Sequence, residues 1–153
     1  MTGSDPAACN RSFRYRVYWE DTDAGGVVYH ARYLQFLERA RSDWLASIGV
    51  RQVPLREDHG VVFAITRVAI DFRRPARLED ELDVSVDVQA LGRARMDFLQ
   101  TIERDGETLL TAEVRAACLD AERFAPTRTP VEVRTRILEA IDAIAPAGRW
   151  TRD

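Results

Sequence analysis

One broad-faced helical segment set against four long extended ones limits what this chain can fold into. Across residues 31–48, Tyr33, Phe36, Leu37, Ala40, Trp44 and Ile48 fall on one side of a 3.6-residue helix, and Leu34 and Leu45 widen the stripe. Gln35, Glu38, Arg39, Ser42 and Ala46 take the other side, and Gly49 is a stop signal. A stripe that wide calls for enclosure over much of the helix's girth. After a polar connector, RQVPLREDHG, the period changes to two. VVFAITRVAIDF at 61–72 reads as a long strand, and "RRPARLED" breaks it, because Pro75 cannot donate to a central ladder. Leu82, Val84, Val86 and Val88 then alternate with Asp83, Ser85, Asp87 and Gln89 as one strand. "LGRAR" is a turn, Met96, Phe98, Gln100 and Ile102 share one face, and Asp105-Gly106 is a hairpin signal before a partner strand at 108–119.

A short strand, FRYRVYW at 13–19, precedes the helix. Thr129-Pro130-Val131-Glu132 reads as a capping box, with proline at the first position of a closing helix that runs to about Ile144 and is stopped by Pro146. Short turns imply an antiparallel sheet, and a single enclosed helix implies that the sheet curls around it, an α+β class. The expected organisation is a tail at 1–12, one domain at 13–145 and a C-terminal tail at 146–153.

A net charge of −3, with arginine as the sole Lys/Arg-type residue, argues against nucleic acid as a partner. No apolar run approaches the roughly 20 residues of a membrane span. The start, MTGSDPAACNRSF, lacks the pattern of a secretory signal, so the expected setting is cytoplasmic. Cys9 and Cys118 form neither a disulfide framework nor a metal cluster, and no metal is expected.

"WEDTDAGGVVYHARYLQFLERAR", residues 19–41, crowds acids and two glycines against the start of the long helix. A helix start leaves about four backbone N–H groups without intrahelical acceptors, and its aligned dipoles add roughly half a positive charge. Glycine lets backbone approach a ligand closely. Such a mouth can hold an oxygen that turns negative during reaction, and Asp23 on the same loop could attack a carbonyl or activate water. The same residues also serve as helix cap and turn, and His30 by itself reads as a packed histidine. "EDTDAGG" lacks the full ligand spacing of a calcium loop. The sequence has no G-x-S-x-G elbow, P-loop or G-x-G-x-x-G.

"RVYWEDTDAGGVVYHARYLQFLERAR" resembles the signature of the hotdog-fold acyl-CoA thioesterases of the 4-hydroxybenzoyl-CoA thioesterase type, most of all their Tol–Pal-associated branch, marked by E-D-T-D-x-x-G-V-V-Y-H-x-x-Y. Similarity extends through "DFRRPARLEDELDV" and covers roughly residues 14–130. The resemblance implies a hotdog fold, hydrolysis of an acyl-CoA thioester to free acid and coenzyme A, and no cofactor beyond the coenzyme A of the substrate. It implies Asp23 as the catalytic carboxylate and His30 as the group that orients water or thioester, its amide facing the thioester oxygen. Gly26, Tyr29 and Tyr33 would line the substrate site. Trp19 stands where related enzymes often carry tyrosine; its indole can donate but cannot accept a proton, which leaves it the role of an apolar wall. On strand alternation Tyr18 faces away from it.

Arg73, Arg74, Arg77, Arg93 and Arg95 flank two turns and could grip coenzyme A phosphates; interspersed acids give them an equally good reading as solvated surface. A homodimer or homotetramer with sites at subunit boundaries is further implied. Acyl carrier protein and phospholipid synthesis enzymes are the partners it suggests besides acyl-CoA. Non-hydrolytic acyl binding, or an interaction role at the cell envelope, is the rival reading.

Overall fold

A computed structural model describes residues 11–144 and 151–152. The sheet begins with β1, Ser12–Arg16, and continues with β2 (Val61–Phe72), β3 (Glu81–Ser85), β4 (Asp87–Leu91), β5 (Arg95–Arg104), β6 (Glu107–Asp120) and β7 (Thr151–Arg152). Its helices are α1 (Tyr33–Ser47), α2 (Gln52–His59) and α3 (Val131–Ile144). β3 and β4 lie end to end along one side of β5, β6 pairs the other side, and β2 pairs β6; β1 adds antiparallel to β3. This curled sheet holding α1 is the hotdog architecture expected from the sequence.

Alternation explains the strands. Met96, Phe98, Gln100 and Ile102 of β5 and Leu110, Ala112, Val114, Ala116 and Cys118 of β6 are buried, as their spacing predicts. At the β5–β6 hairpin Asp105 and Gly106 both take positive φ (49° and 80°), the mirror-image turn that Asp-Gly favours. The single strand expected at 82–89 is instead two. The pairing breaks at Val86, whose N–H donates to the Arg11 carbonyl, and the β4–β5 register shifts between Val88 and Ala90. A bulge bends its strand and resets which side chains face inward, so Ala90 and Leu91 are both buried.

The first strand is also shorter than the 13–19 expected. β1 ends at Arg16, and Trp19–Asp21 forms a 3-10 turn, so strand alternation does not order Tyr18 against Trp19. Both are exposed. α1 starts at Tyr33 rather than Ala31, preceded by a 3-10 turn over His30–Arg32. It buries Tyr33, Phe36, Leu37, Ala40, Trp44 and Leu45, but Leu34 is exposed and Arg41 is buried in the stripe instead.

The polar connector is mostly helix. α2 buries only Leu55, so it shows no period, and it ends on Gly60 in the left-handed region with the Gly60 N–H on the Arg56 carbonyl. α3 begins at Val131, one residue later than expected. Thr129, predicted to cap it, is buried near the Cys118 thiol. Pro146 lies outside the described residues. Within the expected C-terminal tail, Thr151–Arg152 pairs in parallel with Ala90 and Leu91. No helix among the described residues is long and apolar enough to cross a membrane.

Candidate active site

The segment between β1 and α1 is fixed at its base by backbone bonds to the residues after β2. Val17 N–H donates to Asp80 O (2.9 Å), Glu79 N–H to Val17 O (3.0 Å) and Val28 N–H to Ala76 O (2.8 Å). Above that base, Thr22 bridges Val28, and Asp23 N–H donates to Val27 O at 2.9 Å. Ala24, Gly25 and Gly26 form the tip.

The two glycines do different work. Gly26 has φ +80°, where a side chain is strained, and its N–H closes the turn on Asp23 O at 3.0 Å. Gly25 donates its N–H to Asp23 Oδ1 at 2.8 Å, and a Cβ there would lie 3.0 Å from that same oxygen. The loop therefore aims one carboxylate oxygen back at its own backbone. Asp23 Oδ2 has no partner among the described residues, and the side chain is exposed.

Asp21, two residues earlier, has the opposite fate. It is 1% exposed. Its Oδ2 accepts the Tyr18 N–H at 2.9 Å, and its Oδ1 lies 3.1 Å from Arg32 Nε, an ionic contact that is poorly directed as a hydrogen bond. Arg32 also donates to Glu20 O (2.7 Å) and Gln35 Oε1 (3.0 Å), so one guanidinium fastens the Trp19–Asp21 turn to the head of α1. The Tyr29 N–H completes the clamp on Asp21 O at 2.9 Å. The resemblance had singled out Asp23, but nothing in the sequence showed that Asp21 would be buried, and Arg32 was not singled out.

The amides of His30 and Ala31 open the 3-10 turn that leads into α1 and, like the first amides of any helix, lack intrahelical acceptors. The His30 ring is exposed and packs on Tyr29, centroids 4.5 Å apart. Trp19 is 79% exposed. Tyr33 is buried under the loop, its ring edge-on to Phe72 at 5.5 Å and its hydroxyl accepting the Ala76 N–H at 3.0 Å. Burial, above all, raises the Tyr33 pKa, against the Ala76 N–H and the Arg104 charge, and the Asp23 charge adds to the rise.

The arginines divide into two groups. Arg73 and Arg74 follow β2 and both donate their N–H to Leu109 O, and Arg77 lies in the next turn with its N–H on Asp80 Oδ2. This end is also where Val28 meets Ala76, so these three share the loop's end of the molecule. Arg74 Nε lies 3.7 Å from Glu107, whereas the exposed guanidinium groups of Arg73 and Arg77 have no ion pair among the described residues. Arg93 and Arg95 lie at the β4–β5 turn, the far end of β5. Ten strand residues, Arg95–Arg104, put about 30 Å between the two groups. Within one chain the five arginines are therefore not a single cluster.

Residues 17–141 match the family model described as the thioesterase-like superfamily. The acyl-CoA thioesterase YbgC of Haemophilus influenzae is 43% identical over 123 residues, 80% of this chain and 90% of that protein. The acyl-CoA thioester hydrolase YbgC of Escherichia coli O157:H7 is 38% identical over 77% of this chain and 88% of its own length. A probable thioesterase from Bartonella henselae superposes with a TM-score of 0.74 at 37% identity, covering 78% of this chain and 98% of that one.

Proposed function

Since the chain belongs to the thioesterase-like superfamily, we propose that it hydrolyses acyl-CoA thioesters with Asp23 as the reacting carboxylate. One observation carries the reading: of the acids in E-D-T-D, Asp23 alone combines a loop-fixed carboxylate with an unpartnered oxygen, on the segment that leads into α1. The thioester oxygen meets the His30 amide, where hydrogen-bond donors and the helix dipole stabilise the charge that develops. Asp23 Oδ2 then attacks the carbonyl carbon, or takes a proton from a water that attacks it. The C–S bond breaks, the thiolate leaves and takes up a proton, and water supplies the oxygen of the free acid. The His30 side chain orients water or thioester, while Trp19, Gly26 and Tyr29 border the entrance. Tyr33 contributes from below, as the buried floor of the loop. The direct test is thiol release from acyl-CoA by the purified chain; saturable binding without release would favour the non-hydrolytic reading.

Arg73, Arg74 and Arg77 grip the coenzyme A phosphates in this scheme, being at the loop's end of the molecule. Replacing all three with alanine is expected to raise KM for acyl-CoA about ten-fold or more while kcat changes little, because the contacts are far from the carbonyl. An unchanged KM in steady-state kinetics would assign these residues to solvent. Arg93 enters only if a second subunit brings its end of β5 to the site.

β2 supports a homodimer in this scheme: among the described residues it is paired on one edge only, and Ile65, Val68 and Phe72 are exposed along it. Light scattering should give the mass of a dimer, or of a tetramer built from two dimers, at micromolar concentration. Val68→Glu should shift it to monomer and lower activity with it; a monomeric, active wild type would refute this assembly.

A further inference from the structure

Between α1 and β2 lies a cavity of about 250 Å³, bordered by Phe63 and Ile65 of β2, Met96 and Phe98 of β5, and Glu38 and Arg41 of α1. β2 runs antiparallel to α1: Phe72 meets Tyr33 at the site end, and Phe63 and Ile65 lie opposite Arg41 further along. The cavity therefore lies further along α1 than the proposed site, on the side that faces β2. From Tyr33 to Arg41 the helix rises roughly 12 Å.

Arg41 is an unusual residue to find there. It is 9% exposed, in the stripe of α1 that otherwise buries apolar side chains. A guanidinium offers five N–H donors. Among the described residues one is engaged, Nη1 on Gln100 Oε1 at 2.9 Å, and no carboxylate lies within ion-pair distance. Gln100 is itself held by its Nε2 on Leu37 O (3.1 Å) and Ser85 O (3.2 Å), which fixes its oxygen toward Arg41. Burial depresses the Arg41 pKa, with the Glu38 charge opposing, but a guanidinium stays protonated at any ordinary pH. Glu38 is exposed and accepts the Ser42 hydroxyl at 2.8 Å; it borders the cavity without pairing to Arg41, so its charge competes with that of an entering anion. A buried cation without a counter-ion is costly, and an anion entering the cavity relieves that cost.

We propose that this cavity receives the far end of the acyl group and that Arg41 selects acyl groups ending in a carboxylate. The proposal rests on the thioesterase reading above and names its substrate class, the coenzyme A mono-thioesters of dicarboxylic acids. An extended chain of eight carbons covers about 9 Å of the roughly 12 Å between the two residues along the helix, and the Arg41 side chain, leaning toward the helix N-terminus, covers the rest.

The test compares octanoyl-CoA with the mono-CoA thioester of octanedioic acid. Wild type is expected to favour the carboxylated ester in kcat/KM by about ten-fold or more, as a charge-assisted contact allows. Arg41→Met, which leaves no stranded charge, is expected to bring that ratio to about one or below. Glu38→Gln removes the competing acid from an exposed position and is expected to raise the ratio. A wild-type ratio at or below one overturns the proposal, as does a ratio that survives Arg41→Met. Should Arg41→Met fail to fold, Glu38→Gln decides: a ratio that rises supports the proposal, and one that stays level or falls ends it. Calorimetric Kd values for the same two esters separate this inference from the hydrolytic reading. If wild type splits neither ester, hydrolysis is refuted; tighter binding of the carboxylated ester then still supports the Arg41 selection, and equal binding refutes it too.

Discussion

Asp23→Asn is expected to lower kcat by at least about 10²-fold while acyl-CoA still binds and the protein still folds. The substitution is nearly isosteric. The amide oxygen can take the place of Oδ1 and accept the Gly25 N–H, so the loop keeps the bond that sets its shape. What disappears is the negative oxygen, and with it both routes: an amide neither attacks a thioester at a useful rate nor accepts a proton from water. The loss should appear in kcat, with Kd for acyl-CoA near wild type by calorimetry, because the group acts on the reacting carbon. Turnover within a few-fold of wild type would remove Asp23 from the mechanism.

Asp21→Ala should show the reverse pattern: a loss of stability first, with activity failing only as the loop fails. The buried carboxylate joins the Tyr18 N–H to Arg32, and Arg32 joins two backbone segments. Removing one partner of a buried pair costs about 3–5 kcal/mol. The lower figure applies here, because the Arg32 side chain is 26% exposed and water recovers part of the charge. Urea unfolding should therefore move to a lower midpoint by about 3 kcal/mol at constant slope. Asp21→Asn, which retains an acceptor for Tyr18, should lose less. A midpoint within about 1 kcal/mol of wild type for Asp21→Ala would mean that the clamp is idle. The pair of variants separates two acids that stand two residues apart: one is expected to lower turnover, the other stability.

Much of the scaffold could be read directly from the chain. The strand at 61–72 has the bounds that alternation predicts, and the buried faces of β5 and β6 are the ones their spacing selects. The Asp-Gly turn, α1 and the E-D-T-D resemblance to the thioesterases were equally legible. These are local matters: a period of two or 3.6, a residue that tolerates positive φ, and a motif carried by neighbours in sequence. The misses have a common cause. α2 is anchored by one leucine, so it has no period to detect; the strand at 82–89 is interrupted where the Val86 N–H turns to the Arg11 carbonyl, while its residues keep alternating and its register on β5 is unchanged. Tyr18 and Trp19 left the strand when the chain turned to reach Asp80 and Ala76.

By itself the sequence determined the enclosed helix, most of the strands around it, the family and, through the resemblance, Asp23 as the expected reacting acid. Only the tertiary structure decided how differently Asp23 and its neighbour Asp21 are held. It buries Asp21 against Arg32 and leaves Asp23 an open oxygen, and it sends five arginines to opposite ends of β5 and seats Arg41 in the apolar stripe. The physical reason is that charge state, desolvation and partnership depend on what lies within a few ångströms in space. Two carboxylates on one loop are chemically the same residue until the fold chooses their surroundings.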